Sequence, residues 1–342
     1  MSTKGINTFA LGLVGAAAGL LAYGNLKPSE PLKLLNVSYD PTREVYAEIN
    51  LKFAAQFQKD TGTLIGVKQS HGGSSRQAKA VADGLAADVV TLGLPSDIES
   101  LHRYGLVADD WQKKFLHNAV PYSSTIVFVV RKGNPKNVHD WPDLAAQGLE
   151  VVTPNPKTSA NGKMSFLAAW GSVISRGGTE DQARQLVGRI YRNVSTLGSG
   201  SRDSTNTFEL AAEGDVHLTW ENEAIREVGE SKGELEIVYP PVSILGEPSV
   251  AVIAPNAAKH HAENAATAYL NYLFSDEAQN IFAKDGYRPF NPSTLAKHRD
   301  ALPNVTLFPI TLVAKNWNDA QARFFDDGGI FDVISAHLAR AK

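Results

Sequence analysis

Short runs of β-branched and leucine residues alternate with longer amphipathic segments in the first third of the chain. The run LKLLNVSYD, which ends at Asp40, has strand character, and the next segment has apolar residues at helical spacing from Val45 to Phe57. Two further strand and helix pairs follow at 63–84 and 87–105. Repeated strand, loop and helix segments predict an α/β fold with a largely parallel sheet.

A second alternating segment begins after a long β-branched run at 125–130 and continues to residue 230. Another β-branched run at 248–254 precedes a helix pair that is broken at Ser275-Asp276. We interpret the two β-branched runs as crossovers between two lobes, so that the second lobe interrupts the first. Lobe 1 is predicted to comprise residues 32–121 plus 247–310, and lobe 2 residues 122–246 plus 311–342.

The first 24 residues have the pattern of a secretory signal peptide. Lys4 lies in a short polar start, an apolar run of 13 residues extends from Phe9 to Leu21, and a small-x-small triplet ends at Gly24. The run is shorter than the ~20 residues that cross a bilayer comfortably, although an uncleaved anchor stays an alternative. We therefore expect export to the periplasm, with a linker at 25–31 before the first lobe.

The composition narrows the classes of partner and cofactor. The 342 residues are 43% hydrophobic and 20% charged, with a formal net charge of -3, so the chain has no basic field for nucleic acid. The length favours two domains, and we expect a monomer. With no cysteine and no H-E-x-x-H among nine histidines, we expect no disulfide, no metal site and no cofactor.

Four loops occupy equivalent places, each after a predicted strand and before a predicted helix. They are Asp40-Pro41, HGGSS at 71–75, TSANG at 158–162 and GSGSRDS at 198–204. Ligands of open parallel sheets bind at this edge, where helix N-termini offer unpaired N–H groups to an anion. Glycines allow close backbone approach and serines add neutral donors. The loops predict a site for a small oxyanion, while turn formation and helix capping stay the alternative for any single loop.

Several motifs in order resemble the bacterial sulfate-binding proteins, the periplasmic receptors of sulfate and thiosulfate uptake transporters. The similarity extends from Leu34 to the C-terminal GGIFDVI. It is carried by LLNVSYDPTRE, QSHGGS, STIVFVVRKGNPKNVHDWPDL, TPNPKTS, LAAWG, SRDSTNTF and TWENEA. The resemblance implies the type II periplasmic binding protein fold, with the ligand between two lobes, and a permease of an ABC transporter as partner.

The resemblance also implies how each matching position would hold sulfate without a cationic side chain. Backbone N–H groups would come from Asp40, Ala160, Asn161 and Ser201, hydroxyls from Ser74 and Ser159, and the indole N–H from Trp220. Asp40 would in addition cap its helix. The residues expected next to these donors, without contacting the anion, are His71, Gly73, Arg202 and Asp203; Arg202 would fix Asp40 or a loop. The ordinary role of a tryptophan such as Trp220 is core packing.

Two departures from the family pattern affect the expected site. Ala160 and Asn161 stand where members often have two glycines, which is tolerable if both have negative φ. Asp203 stands where members often have glycine, and we expect it to cap the helix that follows. If Asp203 instead faced the ligand, its charge would favour a protonated anion.

Two classes of protein stay as alternatives to a sulfate receptor, namely receptors for other oxyanions and hydrolases. A receptor for phosphate or molybdate uses the same fold, and HGGS resembles the oxyanion-hole loop of lipases and esterases. A hydrolase needs a G-x-S-x-G motif, which the chain lacks, and KTSANGKMS has Met164 where a phosphate loop needs serine or threonine. We therefore expect binding rather than catalysis, with no catalytic residue.

Overall fold

A computed structural model describes residues 31–340, so the predicted signal segment at 1–24 and most of the linker lie outside the described residues. The first sheet has the strand order β10-β3-β1-β2, in which β1 is parallel to β2 and β3, and β10 is antiparallel to β3. Its strands are β1 (Leu32–Tyr39), β2 (Ile65–Gly72), β3 (Val89–Leu92) and β10 (Ser249–Val252). These parallel strands are the ones that the alternating pattern predicts.

Three helices connect and cover the parallel strands of this sheet. They are α1 (Arg43–Thr61), α2 (Ser74–Ala82) and α3 (Pro95–Arg103). Helix α1 buries Val45, Tyr46, Ile49 and Phe53 on one face, as its apolar spacing predicts. It ends at Gly62, whose φ of 72° suits glycine because the residue has no Cβ.

The second sheet has the strand order β6-β5-β7-β4-β8. Strands β5, β6 and β7 are parallel, whereas β4 is antiparallel to both β7 and β8. The bounds are β4 (Ile126–Arg131), β5 (Val151–Pro154), β6 (Val194–Gly198), β7 (Val216–Trp220) and β8 (Leu235–Val238). The helices beside it are α5 (Ala160–Ile174), α6 (Glu180–Arg192), α7 (Ser201–Glu209) and α8 (Glu221–Glu230).

The prediction that the two β-branched runs are the crossovers between the lobes is wrong, because both runs form strands within a sheet. Strand β4 lies inside the second sheet and β10 inside the first, which explains their β-branched composition because both are buried strands. The chain instead passes between the sheets just outside these strands. There, Ser124 forms an isolated bridge with Gly246, and Ser123 forms one with Arg288.

Further elements complete the structure around the two sheets. A parallel pair, β9 (Val242–Ile244) and β11 (Thr306–Phe308), lies against α5, where Phe308 packs beside Gly171. This pairing favours assigning residues 306–310 to lobe 2, and the lobe boundaries stay a prediction. The remaining helices are α4 (Leu116–Ala119), α9 (Ala254–Lys259), α10 (Glu263–Tyr272), α11 (Asp276–Lys284), α12 (Pro292–Lys297), α13 (Trp317–Ala320) and α14 (Ile330–Arg340).

Candidate functional site

Asp40 follows β1 and begins a 3₁₀ turn, Asp40–Thr42, that leads into α1. Its buried carboxylate lies 3.3 Å from Arg43 Nη2. Burial raises the pKa of this carboxyl, and Arg43 opposes the rise. The prediction that the Asp40 side chain caps the helix is wrong, because Tyr39 is the N-cap of the turn and no side-chain oxygen accepts from its first N–H groups. The N–H groups of this turn have no partner within the helix.

Ser74 is the first residue of α2 and is 1% exposed. Its Oγ donates to Asp97 Oδ2 at 2.5 Å and accepts from the Gly93 N–H at 2.9 Å. Ser75 Oγ donates to the other oxygen of Asp97 at 2.8 Å. In this arrangement the Ser74 hydroxyl proton points to a carboxylate, which the sequence does not predict.

The TSANG loop leads from β5 into α5, with Ser159 as the N-cap and no side-chain cap bond. Ser159, Ala160 and Asn161 are all buried, and neither Ala160 nor Asn161 has a positive φ, so the condition for replacing glycine is met. Asn161 Oδ1 accepts from Ser165 Oγ at 3.1 Å. Asn161 Nδ2 is buried without a hydrogen-bond partner.

Ser201 is the buried first residue of α7, after the N-cap Gly200. The prediction that Asp203 caps a following helix is wrong, because Gly200 is the N-cap and Asp203 lies in the first turn of α7. Asp203 is exposed, and its Oδ2 accepts the Ser199 N–H at 2.8 Å, so it holds the loop before the helix. Arg202 donates to Glu44 on α1 at 3.1 and 3.0 Å and lies 3.4 Å from Glu223 on α8. It therefore connects α7 to α1, whereas the Asp40 carboxylate pairs with Arg43.

Trp220 ends β7 and is fully buried. Its ring contacts Tyr39 edge to face, with a centroid distance of 5.9 Å and an interplanar angle of 67°. The indole Nε1 is buried and has no hydrogen-bond partner. Packing alone leaves this donor unsatisfied, and a buried unsatisfied donor costs about 1 to 3 kcal/mol.

Close backbone approaches bring the four loops and Trp220 together. A Cβ at Gly73 would lie 2.5 Å from Thr158 O and 2.8 Å from Ser199 O, so only glycine fits there. A Cβ at Gly200 would collide with the Asp40 carboxylate. With the Tyr39 contact of Trp220, these approaches join loops of both sheets into one cluster that contains every predicted sulfate donor.

A buried ion pair next to this cluster was not predicted from the sequence. Lys163 Nζ, on the first turn of α5, donates to Ser75 Oγ at 2.8 Å and lies 3.4 Å from Asp97 Oδ1. Both charged side chains are 4% exposed. The sequence indicates Lys163 only as a residue of KTSANGKMS, an incomplete phosphate loop. Its partners are distant in sequence, so local spacing could not reveal them.

His71 lies at the end of β2, behind the Asp40 turn. Its Nδ1 is 3.5 Å from both Thr42 Oγ1 and the Tyr39 carbonyl oxygen. Burial lowers the pKa of His71 to about 4, so the ring is neutral at ordinary pH. His71 therefore supports the turn that contains Asp40 and carries no charge there.

Comparisons with known proteins show the family to which this chain belongs. A family described as bacterial extracellular solute-binding protein matches residues 38–288. The chain belongs to this family. The sulfate-binding protein of Salmonella typhimurium is 45% identical over 309 residues, which is 90% of this chain and 94% of that protein. The thiosulfate-binding protein of Pseudomonas aeruginosa is 45% identical over 322 residues, which is 93% of this chain and 96% of that protein.

A solved structure of a sulfate-binding protein has the same fold. The sulfate-binding protein SubI from Mycobacterium tuberculosis H37Rv is similar with a TM-score of 0.78 and 30% identity, covering 86% of this chain and 99% of that chain. The predicted resemblance and the two-lobed α/β fold are confirmed.

Within residues 31–340, no helix is long and apolar enough to cross a membrane, and no group of three or more His, Asp or Glu side chains could hold a metal ion.

Proposed function

We propose that this protein is an extracytoplasmic receptor that binds sulfate or thiosulfate between its lobes and delivers the anion to an ABC-type transporter. The names of the relatives support both anions, because a sulfate-binding and a thiosulfate-binding protein are each 45% identical to the chain. The two anions differ by one oxygen replaced by sulfur, and the similarity favours neither.

The observation that carries this proposal is the unpartnered indole N–H of Trp220. It belongs to a cluster in which a 3₁₀ turn and three helices begin, at Asp40, Ser74, Ala160 and Ser201. Helix N-termini present N–H groups and the positive end of the helix dipole to an anion. A small dianion would satisfy these donors and the indole at the same time.

Ser74 contributes to this site by turning its hydroxyl. In the described arrangement the proton goes to Asp97. When an anion binds, the hydroxyl turns toward it, and Asp97 keeps the bonds from Ser75 and Lys163. The cost of turning is reduced because the carboxylate is not left without partners.

The same contacts account for a preference for sulfate over phosphate. Phosphate that carries a proton needs an acceptor, and a site made of donors leaves that proton unpaired. The buried carboxylates next to the cluster are paired: Asp40 with Arg43, Asp97 with Ser74, Ser75 and Lys163, Glu221 with Arg288, and Glu223 with Arg202 and Arg226. None of these carboxylates offers a free acceptor, so the phosphate alternative is less well supported.

The family and the contacts support a function in binding rather than in catalysis. A hydrolase would need a serine activated by a histidine. The hydroxyl of Ser74 bonds Asp97 and Gly93, while His71 Nδ1 lies near Thr42 and the Tyr39 carbonyl. The HGGS loop therefore serves as an anion-binding helix start in this proposal.

Export, lobe boundaries and the partner belong to the same proposal. The signal pattern at 1–24 would direct the chain to the periplasm, where the receptor acts as a monomer and docks on a membrane permease. Lobe 1 would comprise residues 32–121 plus 247–305, and lobe 2 residues 122–246 plus 306–342. The pairing of β11 with β9 supports this revised boundary.

Thermal unfolding with added anions tests the proposed function. Ligand at 100 times its Kd stabilises the folded state by about 2.7 kcal/mol, so sulfate or thiosulfate should raise Tm by several degrees. Chloride at matched ionic strength is the control, and phosphate and molybdate are the competing candidates. Equal shifts with all anions, or no shift with any, would contradict selective anion binding.

A further inference from the structure

Arg288 and Glu221 form a buried ion pair that anion binding does not itself explain. Arg288 Nε lies 2.6 Å from Glu221 Oε2, and Arg288 Nη2 lies 2.6 Å from Glu221 Oε1. Arg288 is 6% exposed and Glu221 is fully buried. The second guanidinium nitrogen also donates to the Pro303 carbonyl at 2.8 Å. This bidentate geometry fixes both side chains.

The pair lies where the chain passes between the two sheets. The Arg288 backbone exchanges two 2.9 Å hydrogen bonds with Ser123, and the Ser124 backbone exchanges two with Gly246. The Glu221 N–H donates to the Thr125 carbonyl at 3.0 Å. The two crossing segments and the Arg288 segment of lobe 1 therefore meet beside the first residue of α8, which directly follows Trp220.

The indole of Trp220 is held from the same side. A Cβ at Gly246 would lie 2.7 Å from Trp220 Cζ3, so the crossing segment touches the ring directly. Any shift of Glu221 relative to the crossing segments moves the adjacent Trp220 within the same close packing. Interiors packed at this density transmit such shifts because few voids absorb them.

Stability alone does not account for an ion pair at this place. Burial raises the pKa of Glu221, and Arg288 opposes the rise, so the carboxylate depends on its partner. Apolar side chains of similar volume often replace a buried ion pair with equal or greater stability. Apolar side chains do not reproduce the fixed geometry of two parallel charge-assisted hydrogen bonds.

We propose that Arg288 is a positioning residue, which acts through Glu221 to fix the indole of Trp220 relative to the crossing segments when the lobes close on the anion. This inference rests on the proposed function of the site. The pair would set where the indole N–H points, and therefore how well it bonds the ligand.

The test compares three changes in the full protein. Arg288→Met leaves Glu221 buried without its cationic partner, whereas the double change of Glu221→Leu with Arg288→Met removes both charges. Arg288→Lys keeps the charge and loses the bidentate geometry. Lys79→Met, which removes an exposed ion pair with Asp83 on α2, is the control.

Sulfate affinity and the environment of Trp220 are the two readouts. Fluorotryptophan labelling gives fluorine NMR signals for the five tryptophans, and the signal lost in Trp220→Phe assigns that of Trp220. In the double variant we expect a stable fold, a shifted or broadened Trp220 signal and roughly tenfold weaker sulfate binding, within the usual range of coupling between sites. The lysine variant should fall between the double variant and the wild type.

Two outcomes separate this inference from the proposed function. If the wild type binds sulfate and the double variant has both its affinity and its Trp220 signal, the ion pair does not position the indole and the inference fails. If the wild type does not bind sulfate, the proposed function fails, and the Trp220 signal without anion still reports whether Arg288 fixes the ring.

Discussion

Gly93 and Ala160 form a contact between the lobes that a single methyl group should disrupt. Gly93 follows β3 of the first sheet, and a Cβ built on it would lie 2.5 Å from the Cβ of Ala160 on α5. Carbon atoms in contact are separated by about 3.5 to 4.0 Å. Gly93→Ala therefore requires a separation of roughly 1 Å at this point.

The free-energy cost of this separation follows from the rigidity of the two packed surfaces. Adding a methylene-sized group to a packed interior costs about 1 to 3 kcal/mol. Since 1.4 kcal/mol corresponds to a tenfold change in Kd, we expect Gly93→Ala to weaken sulfate binding by roughly 5-fold to 150-fold. The Ala160→Gly change should restore most of the affinity in the double variant. Recovery should be incomplete because Tyr39 Cδ2, within lobe 1, is 3.3 Å from the added Cβ.

Calorimetric titration of the single and double variants measures this effect. Gly66→Ala is the matched control, because a Cβ at Gly66 would meet no atom within 4 Å. The free energy of coupling between the two sites is obtained from the double-mutant cycle. If Gly93→Ala binds sulfate as the wild type does, or if Ala160→Gly restores nothing, the lobes do not meet through this pair in the bound protein.

Three further changes test other parts of the account. Trp220→Phe should weaken sulfate binding by about 1 to 3 kcal/mol in titration, and an unchanged affinity would remove the indole from the site. Ser74→Ala should lower both affinity and the free energy of unfolding, the latter by about 1 to 3 kcal/mol in denaturant, because Gly93 N–H and Asp97 each lose a partner. A loss of stability alone would restrict Ser74 to a structural role. His71 has a native pKa of about 4 against about 6.5 in the unfolded chain, so the unfolded state binds more protons between these values and stability falls as pH falls. His71→Gln should flatten this pH dependence in thermal unfolding, and an equally steep dependence would contradict the account.

The regular elements that carry the site could be predicted from local patterns. Apolar spacing predicts α1, and the positions of glycine and serine after strands predict the starts of α2 and α5, while α7 begins at Ser201, inside the predicted loop. Such signals are local because a helix start and its preceding strand are neighbours in sequence. The resemblance to the family adds Trp220 to the site, because hydrophobic periodicity does not distinguish it from an ordinary core tryptophan.

Long-range partners could not be predicted because nothing local determines them. Glu221 lies in the first turn of its helix, and its partner Arg288 lies 67 residues away. The bond of Asp97 with Ser74 likewise depends on how α2 packs on α3, and its contact with Lys163 depends on how the lobes meet. The crossovers were misplaced because a buried central strand and a crossing segment can have the same β-branched composition.

Calorimetric titration of the purified, dialysed wild-type protein with sulfate and with phosphate, at neutral pH and fixed salt, tests the central claim most directly. The account predicts one sulfate per chain and no phosphate binding at concentrations that saturate sulfate, with thiosulfate titrated in parallel to determine the preference between the two anions. Binding of phosphate in place of sulfate, or of neither anion, would contradict a site built from neutral donors for a fully deprotonated dianion.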